Sequence, residues 1–186
     1  MQGRGRPRSA DADDRILKVA LRQLRERGYP ELSMEQVALD AGVGKATLYR
    51  RYRNKADLAS AALATVSAAK LGGELPDGTR DALVAHLRGF EDGIATVGLG
   101  ALGSLLDERD PEALALHRER TIRRGQERGR SILGRAQERG EIRPDADLDV
   151  ALEMLIGSLF ARRLAGREAP DWAEAAVDTL LRGLAR

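Results

Sequence analysis

No cysteine occurs among the 186 residues, so disulfides and thiolate metal sites are excluded and packing alone must hold the fold. Aromatic residues are scarce at 3%, which argues against a pocket built by stacking flat rings. No run of ~18 apolar residues offers a membrane span. The N-terminus lacks the apolar core of a signal peptide, and a cytoplasmic protein is expected. Histidine is nearly absent too: His86 and His117 stand alone, no His/Asp/Glu spacing suggests zinc, and no nucleophile motif appears. No catalytic residues, metal or cofactor are therefore expected, and an enzyme is not the reading.

Charge, by contrast, is abundant and unevenly placed. Residues 1–58 hold 13 Lys+Arg against 8 Asp+Glu, a net +5, whereas residues 59–186 hold 18 against 21, a net −3. A basic excess confined to one end points to a polyanionic partner there. The opening MQGRGRPRSA interleaves Arg4, Arg6 and Arg8 with Gly and Pro, a composition that packs no core and is expected to stay flexible over residues 1–11. Gly5-Arg6-Pro7 resembles the centre of an AT-hook, in which arginine enters a narrow A·T-rich minor groove. Insertion of Arg6 and a purely general electrostatic attraction both stay open.

Ile16, Leu17, Ala20, Leu21 and Leu24 mark one helical face and predict a first helix over 12–27, stopped by Gly28. Tyr29-Pro30 then turns the chain into SMEQVALDAGVGKATLYRRYRNKADL, residues 33–58. Ser33 is a good N-cap, Gln36 stands three residues on as in a capping box, and Met34, Val37, Ala38 and Ala41 share a face. Gly42 is free to take positive φ, Val43 can plug the angle between helices, and Gly44 opens the next helix, over about 45–52. There Leu48 and Tyr52 turn inward. Lys45, Ala46, Thr47, Tyr49, Arg50 and Arg51 are left outward, a surface of donors and cations suited to a major groove. Asn54 is placed to cap a further helix from Lys55, whose ammonium and N–H-rich start suit a phosphate.

The run GVGKATLYRRYRNKADL resembles the recognition end of the TetR family of bacterial transcriptional regulators, over roughly the first third of the chain. The resemblance implies an all-α fold: an N-terminal three-helix helix-turn-helix DNA-binding domain over 12–58, behind the basic arm of 1–11, plus a C-terminal helical ligand-binding and dimerisation domain over 59–186. It places Lys45, Ala46, Thr47, Tyr49 and Arg50 where family members touch bases or phosphates, and Lys55 on a frequent phosphate contact. With Arg6 of the arm and Ser33 at the mouth of the motif, these form the candidate DNA-binding set. Gly44 stands where the family often has Ser, and Ala46 where Gly is common. The resemblance therefore implies a mode of grip without implying which sequence is read.

Helical spacing continues downstream. A fourth helix is predicted over 55–71, with Leu58, Ala62, Val66 and Ala69 on one side, and Gly72-Gly73 with Pro76-Asp77-Gly78 breaks it at a joint between domains. Leu83, Leu87, Phe90, Ile94 and Val97 predict a helix that bends or breaks through the glycines that follow. GLGALG there has no preceding strand and no Lys-Ser/Thr, so it is not a phosphate loop. Pro111 opens a long helix reaching about Arg139. Its arginines, Arg118, Arg120, Arg123, Arg124, Arg128, Arg130, Arg135 and Arg139, are interspersed with Glu119, Glu127 and Glu138 and read as a solvated, ion-paired face. Gly125 and Gly129, four apart, would let another helix approach closely.

Two last helices, over 147–164 and 170–184, show broad apolar faces. The resemblance implies that this pair meets its symmetry mate, making Leu152, Ile156, Leu159, Ala176 and Leu180 candidate homodimer contacts. The other reading, that both faces are spent inside one subunit, stays open. The resemblance also places an effector pocket among the middle helices, for which His86, Phe90, Leu102, Leu106, His117, Met154 and Trp172 are candidate lining residues.

A ligand-responsive DNA-binding transcriptional regulator is thus expected, a repressor that grips a palindromic double-stranded operator as a homodimer and answers to a small-molecule effector, with no membrane partner. An architectural DNA-binding protein is the alternative; it would need no effector, and its second domain would be sealed and fully packed.

Overall fold

The structure, a computed structural model, describes residues 7–105, 110–167 and 169–185, and over these it is all-α. Among the described residues helix α1 (Pro7–Arg27) is already formed at Pro7, five residues before the expected start at residue 12. Proline suits the first position of a helix, where its missing N–H has no acceptor and its φ is preset, and nothing between Ser9 and Ala12 breaks the run. The flexible arm expected over 1–11 is accordingly helical from Pro7 onward, while Arg6 lies outside the described residues.

The chain forms two compact units, Met1–Val66 with Ile94–Thr121, and Ser67–Gly93 with Ile122–Arg186. In the first, α1 is followed by α2 (Met34–Asp40), α3 (Lys45–Arg51) and the greater part of α4 (Lys55–Leu71), joined by the end of α5 (Thr79–Val97), α6 (Leu99–Leu105) and α7 (Pro111–His117). Its core sets Ile16, Ala20 and Leu24 of α1 against Val37, Leu48 and Leu58. Each fully buried aliphatic side chain of this kind is worth about 1.5–3 kcal/mol relative to exposure. Val97, Ala101, Leu105 and Ala113 complete the same core. Hence residues 94–121, expected from the glycine break to belong with the C-terminal helices, pack with the N-terminal ones. Gly98, at φ +90, separates α5 from α6 where the bend or break was expected. Ser104 Oγ accepts the Tyr29 N–H at 2.9 Å, fixing α6 to the link between α1 and α2.

The long helix predicted from Pro111 runs as α7, a π-helical turn (Arg118–Ile122) and α8 (Arg123–Glu138). In the second unit α8 packs against α9 (Leu148–Leu164) and, at Gly125, against Phe90 of α5, while α10 (Trp172–Leu184) packs against α9; Leu83, Leu87, Ile132, Leu133, Leu155 and Leu159 are buried there. The two glycines of α8 act as the sequence predicted. A Cβ on Gly125 would lie 2.5 Å from Phe90, and one on Gly129 would lie 2.5 Å from Leu152 and 2.9 Å from His86 Nε2. Glycine is what lets α5 and α9 come this close to α8.

Candidate nucleic-acid interface

The reading head is built by its caps. Ser33 Oγ accepts the Gln36 N–H at 3.3 Å and so starts α2. The reciprocal half of a capping box does not form, because Gln36 Nε2 donates to Asp40 Oδ1 at 2.6 Å. The Ser33 N–H turns instead to Gln23 Oε1, 3.4 Å away, on a glutamine buried in α1. At the other end Gly42 takes φ +64. Its N–H donates to Leu39 O at 3.1 Å while the Val43 N–H donates to Ala38 O at 3.0 Å, the paired bonds of a Schellman ending. Val43 is thereby pressed against the core, and the chain is aimed into α3.

Gly44 caps α3 with no side-chain bond, so this short helix depends on its anchors. Leu48 is fully buried and Tyr52, just past the last turn, is 9% exposed with its hydroxyl on Asp13. Burial first, then the Asp13 carboxylate, pushes the Tyr52 phenol up to about 12, so it stays a neutral donor. Arg51 also turns back to Asp13, at 2.6 Å, and is a second tie between α3 and α1, not part of the outward surface expected for it. Fixing these residues inward leaves Lys45, Ala46, Tyr49 and Arg50 exposed and Thr47 half-buried. At ~100° per residue they span one outward arc of α3. Lys45 Nζ donates to Glu35 Oε1 at 2.5 Å across the turn. That bond raises the lysine pKa and lowers the glutamate's, though both side chains are mostly in water.

Beside this arc, Asn54 Oδ1 accepts the Asp57 N–H at 2.9 Å and starts α4. Lys55 stands in that first turn, its Nζ 3.2 Å from Pro30 O and 4.6 Å from the Tyr29 ring centroid. A cation so held is ready for a phosphate at the helix start.

Residues far away in sequence brace the same turn. Arg120, in the π turn, donates to Asp57 O at 3.0 Å and to Asp57 Oδ1 at 2.7 Å, and so is not part of the solvated face its neighbours suggested. Asn54 Nδ2 donates to Glu112 Oε2 at 3.1 Å, and the Tyr29 hydroxyl donates to Asp110, which also caps α7. Burial pushes Asp57 upward, but the Arg53 N–H and the Arg120 guanidinium outweigh it, and its pKa falls below the ordinary value. Gln23, Asp57, Glu112 and Arg120 escaped sequence reasoning. Their partners lie up to 63 residues away, and no local pattern marks such a pair.

The candidate effector residues are divided between the two units. His117 and Leu102 belong to the first unit, His86, Phe90, Met154 and Trp172 to the second, and Leu106 lies outside the described residues. His86 and Phe90 meet edge to face at 5.0 Å. Both histidines are nearly sealed, and burial holds each down to about 4, with Arg128 adding to the effect on His86. His86 has no hydrogen-bond partner at either ring nitrogen. Of the candidate dimer residues, Leu152 and Leu159 are core, 3% and 1% exposed, because Leu152 fills the space over Gly129. Ile156, Ala176 and Leu180 are half-buried. An open groove of about 710 Å3 between α9 and α10 is lined by Met154, Leu155, Trp172, Ala176 and Leu180, with Met154 65% exposed. Among the described residues no group of three acidic or histidine side chains is placed to hold a metal, and no helix is long and apolar enough to cross a membrane.

A capped helix-turn-helix with a cationic outer arc, in an all-α chain, defines a DNA-binding regulatory protein. Residues 16–62 match the pattern described as bacterial regulatory proteins of the tetR family, and residues 76–180 the tetracyclin repressor-like C-terminal domain. The chain belongs to the TetR family of transcriptional regulators. It is similar to the transcriptional regulator AcuR of Cereibacter sphaeroides, 32% identical over 166 residues, 81% of this chain and 75% of that one. The uncharacterized HTH-type transcriptional regulator YdeS of Bacillus subtilis is 28% identical over 168 residues, 87% of this chain and 82% of that one. Among solved structures, a TetR-family transcriptional regulator from Rhodococcus sp. superposes with a TM-score of 0.71 at 26% identity, covering 94% of this chain and 96% of the other.

Proposed function

We propose that this regulator is a homodimeric repressor that binds a palindromic operator and releases it when a small-molecule effector binds. The observation that carries the reading is the outward arc of α3. Lys45, Ala46, Thr47, Tyr49 and Arg50 face away from the core because Leu48, Arg51 and Tyr52 are fixed inward. In this reading the arc enters the major groove, Lys55 holds a flanking phosphate, and Ser33 acts by starting the helix that positions α3. Arg6 stays proposed as a minor-groove contact.

The dimer is proposed to form on the outer face of α9 and α10, whose groove exposes Met154 and leaves Ala176 and Leu180 only half-covered, and to extend along α9 to the exposed Val150 and half-buried Ile156 outside that groove. Two reading heads related by a two-fold axis match a palindrome. Effector binding in the second unit would reach the reading head through α4, which runs from one unit into the other. His86, whose buried ring nitrogens lack partners, is the side chain best suited to answer a polar group of that effector. Selecting bound fragments from the source genome, followed by footprinting, tests this function: a protected palindrome is expected, and failure to enrich any fragment over random DNA contradicts it.

A further inference from the structure

The second unit carries a hollow of about 530 Å3 that neither the reading arc nor the α9–α10 groove uses. One wall is the link between α4 and α5, from Gly73 to Gly78, with Thr79 and Ala82 of α5. The other is α8 with the residue that caps its end, contributing Arg128, Ile132, Arg135 and the cap Arg139. These fall at i, i+4, i+7 and i+11, a single helical stripe. Three guanidiniums therefore line one wall around Ile132, itself 2% exposed.

The three are differently committed. Arg139 is taken, with Nε on Glu141 Oε1 at 2.6 Å and Nη2 on Thr79 Oγ1 at 2.7 Å. Arg128 Nη2 donates to Gly73 O and holds the link, while its Nε is shut off from solvent with no partner. Arg135 is exposed, and its guanidinium has no ion-pair or hydrogen-bond partner among the described residues. On the link, Glu74 and Asp77 are exposed, so the rim is mixed in sign whereas the α8 wall is wholly cationic. A buried donor without an acceptor is costly, and an arginine fork matches the two oxygens of a carboxylate or phosphate.

We propose that this hollow binds a compact small-molecule anion, its carboxylate or phosphate held by Arg128 and Arg135 and its apolar part lying on Ile132 and Ala82. The site is distinct from the DNA-reading surface and does not depend on it.

Calorimetric titration of the full chain with inorganic phosphate and, separately, with citrate tests this, at ionic strength held constant with sodium chloride. Saturable binding of at least one is expected, and which one binds distinguishes a phosphate-bearing ligand from a carboxylate. Arg135→Gln, which breaks no contact, and Arg128→Gln are each expected to weaken binding ten-fold or more. Arg124→Gln, outside the hollow, should leave it unchanged. Heats that do not saturate for either anion, or binding by Arg135→Gln equal to the wild type, overturn the proposal.

Discussion

Asp57 illustrates how single residues carry this structure. The residue is 6% exposed, and its carboxylate is answered by the Arg53 N–H and by Arg120. Removing one partner of a buried pair leaves the other charge uncompensated, so Arg120→Ala is expected to lower unfolding stability by about 2 kcal/mol in urea titrations. Because the folded pKa of Asp57 is depressed, its contribution is full above the ordinary carboxylate range and is lost as pH falls through the folded value. The histidines act in a higher window. His86 and His117 are held neutral, at about 4 in the folded chain against 6.5 for an ordinary histidine. The unfolded chain therefore binds more protons between those values, and stability should rise from about pH 4 to about pH 6.5 and then level. The effect is on the order of 3 kcal/mol per histidine. Urea midpoints measured across that range should show the rise, and replacing both histidines with glutamine should flatten it.

At the scale of elements, much of the reading head was legible because its signals are local. Ser33, the apolar spacing of α2, the positive φ at Gly42 and the Asn54 cap each act within four residues, and each appears where the sequence placed it. Gly125 and Gly129 were legible for the same reason, as a spacing on one helix. Gly129→Leu is expected to cost about 1–3 kcal/mol by overpacking against Leu152 and His86, read as a lowered melting temperature. What stayed hidden depends on distant partners. Nothing local shows that α6 and α7 join the N-terminal core, that Gln23 replaces half of a capping box, or that Leu152 and Leu159 are buried within this chain. Apolar periodicity names a buried face but not what buries it. Within the reading head, α3 and the start of α4 should divide their labour. Lys55→Ala is expected to weaken binding about equally on all DNA and to lower the salt slope by about 1, whereas Lys45→Ala or Tyr49→Ala should matter most at the cognate site. Anisotropy titrations on operator and scrambled duplexes separate the two.

For the whole molecule, charge and fold point to the same division of tasks. The basic excess lies in residues 1–58 with the helix-turn-helix, and the acidic remainder in the helices after it. Family membership makes the chain a DNA-binding regulator, and the α3 arc supplies the physical reason it can be specific. If the arc reads sequence and does not merely attract phosphate, operator and random DNA must bind unequally. The most direct measurement is the affinity of the full chain for its selected operator and for a scrambled duplex of equal length, each across a salt series. A preference of about 10³-fold or more for the operator is expected at physiological salt, with log K falling steeply with log salt on both duplexes. Equal affinity for the two duplexes would contradict sequence reading by the arc.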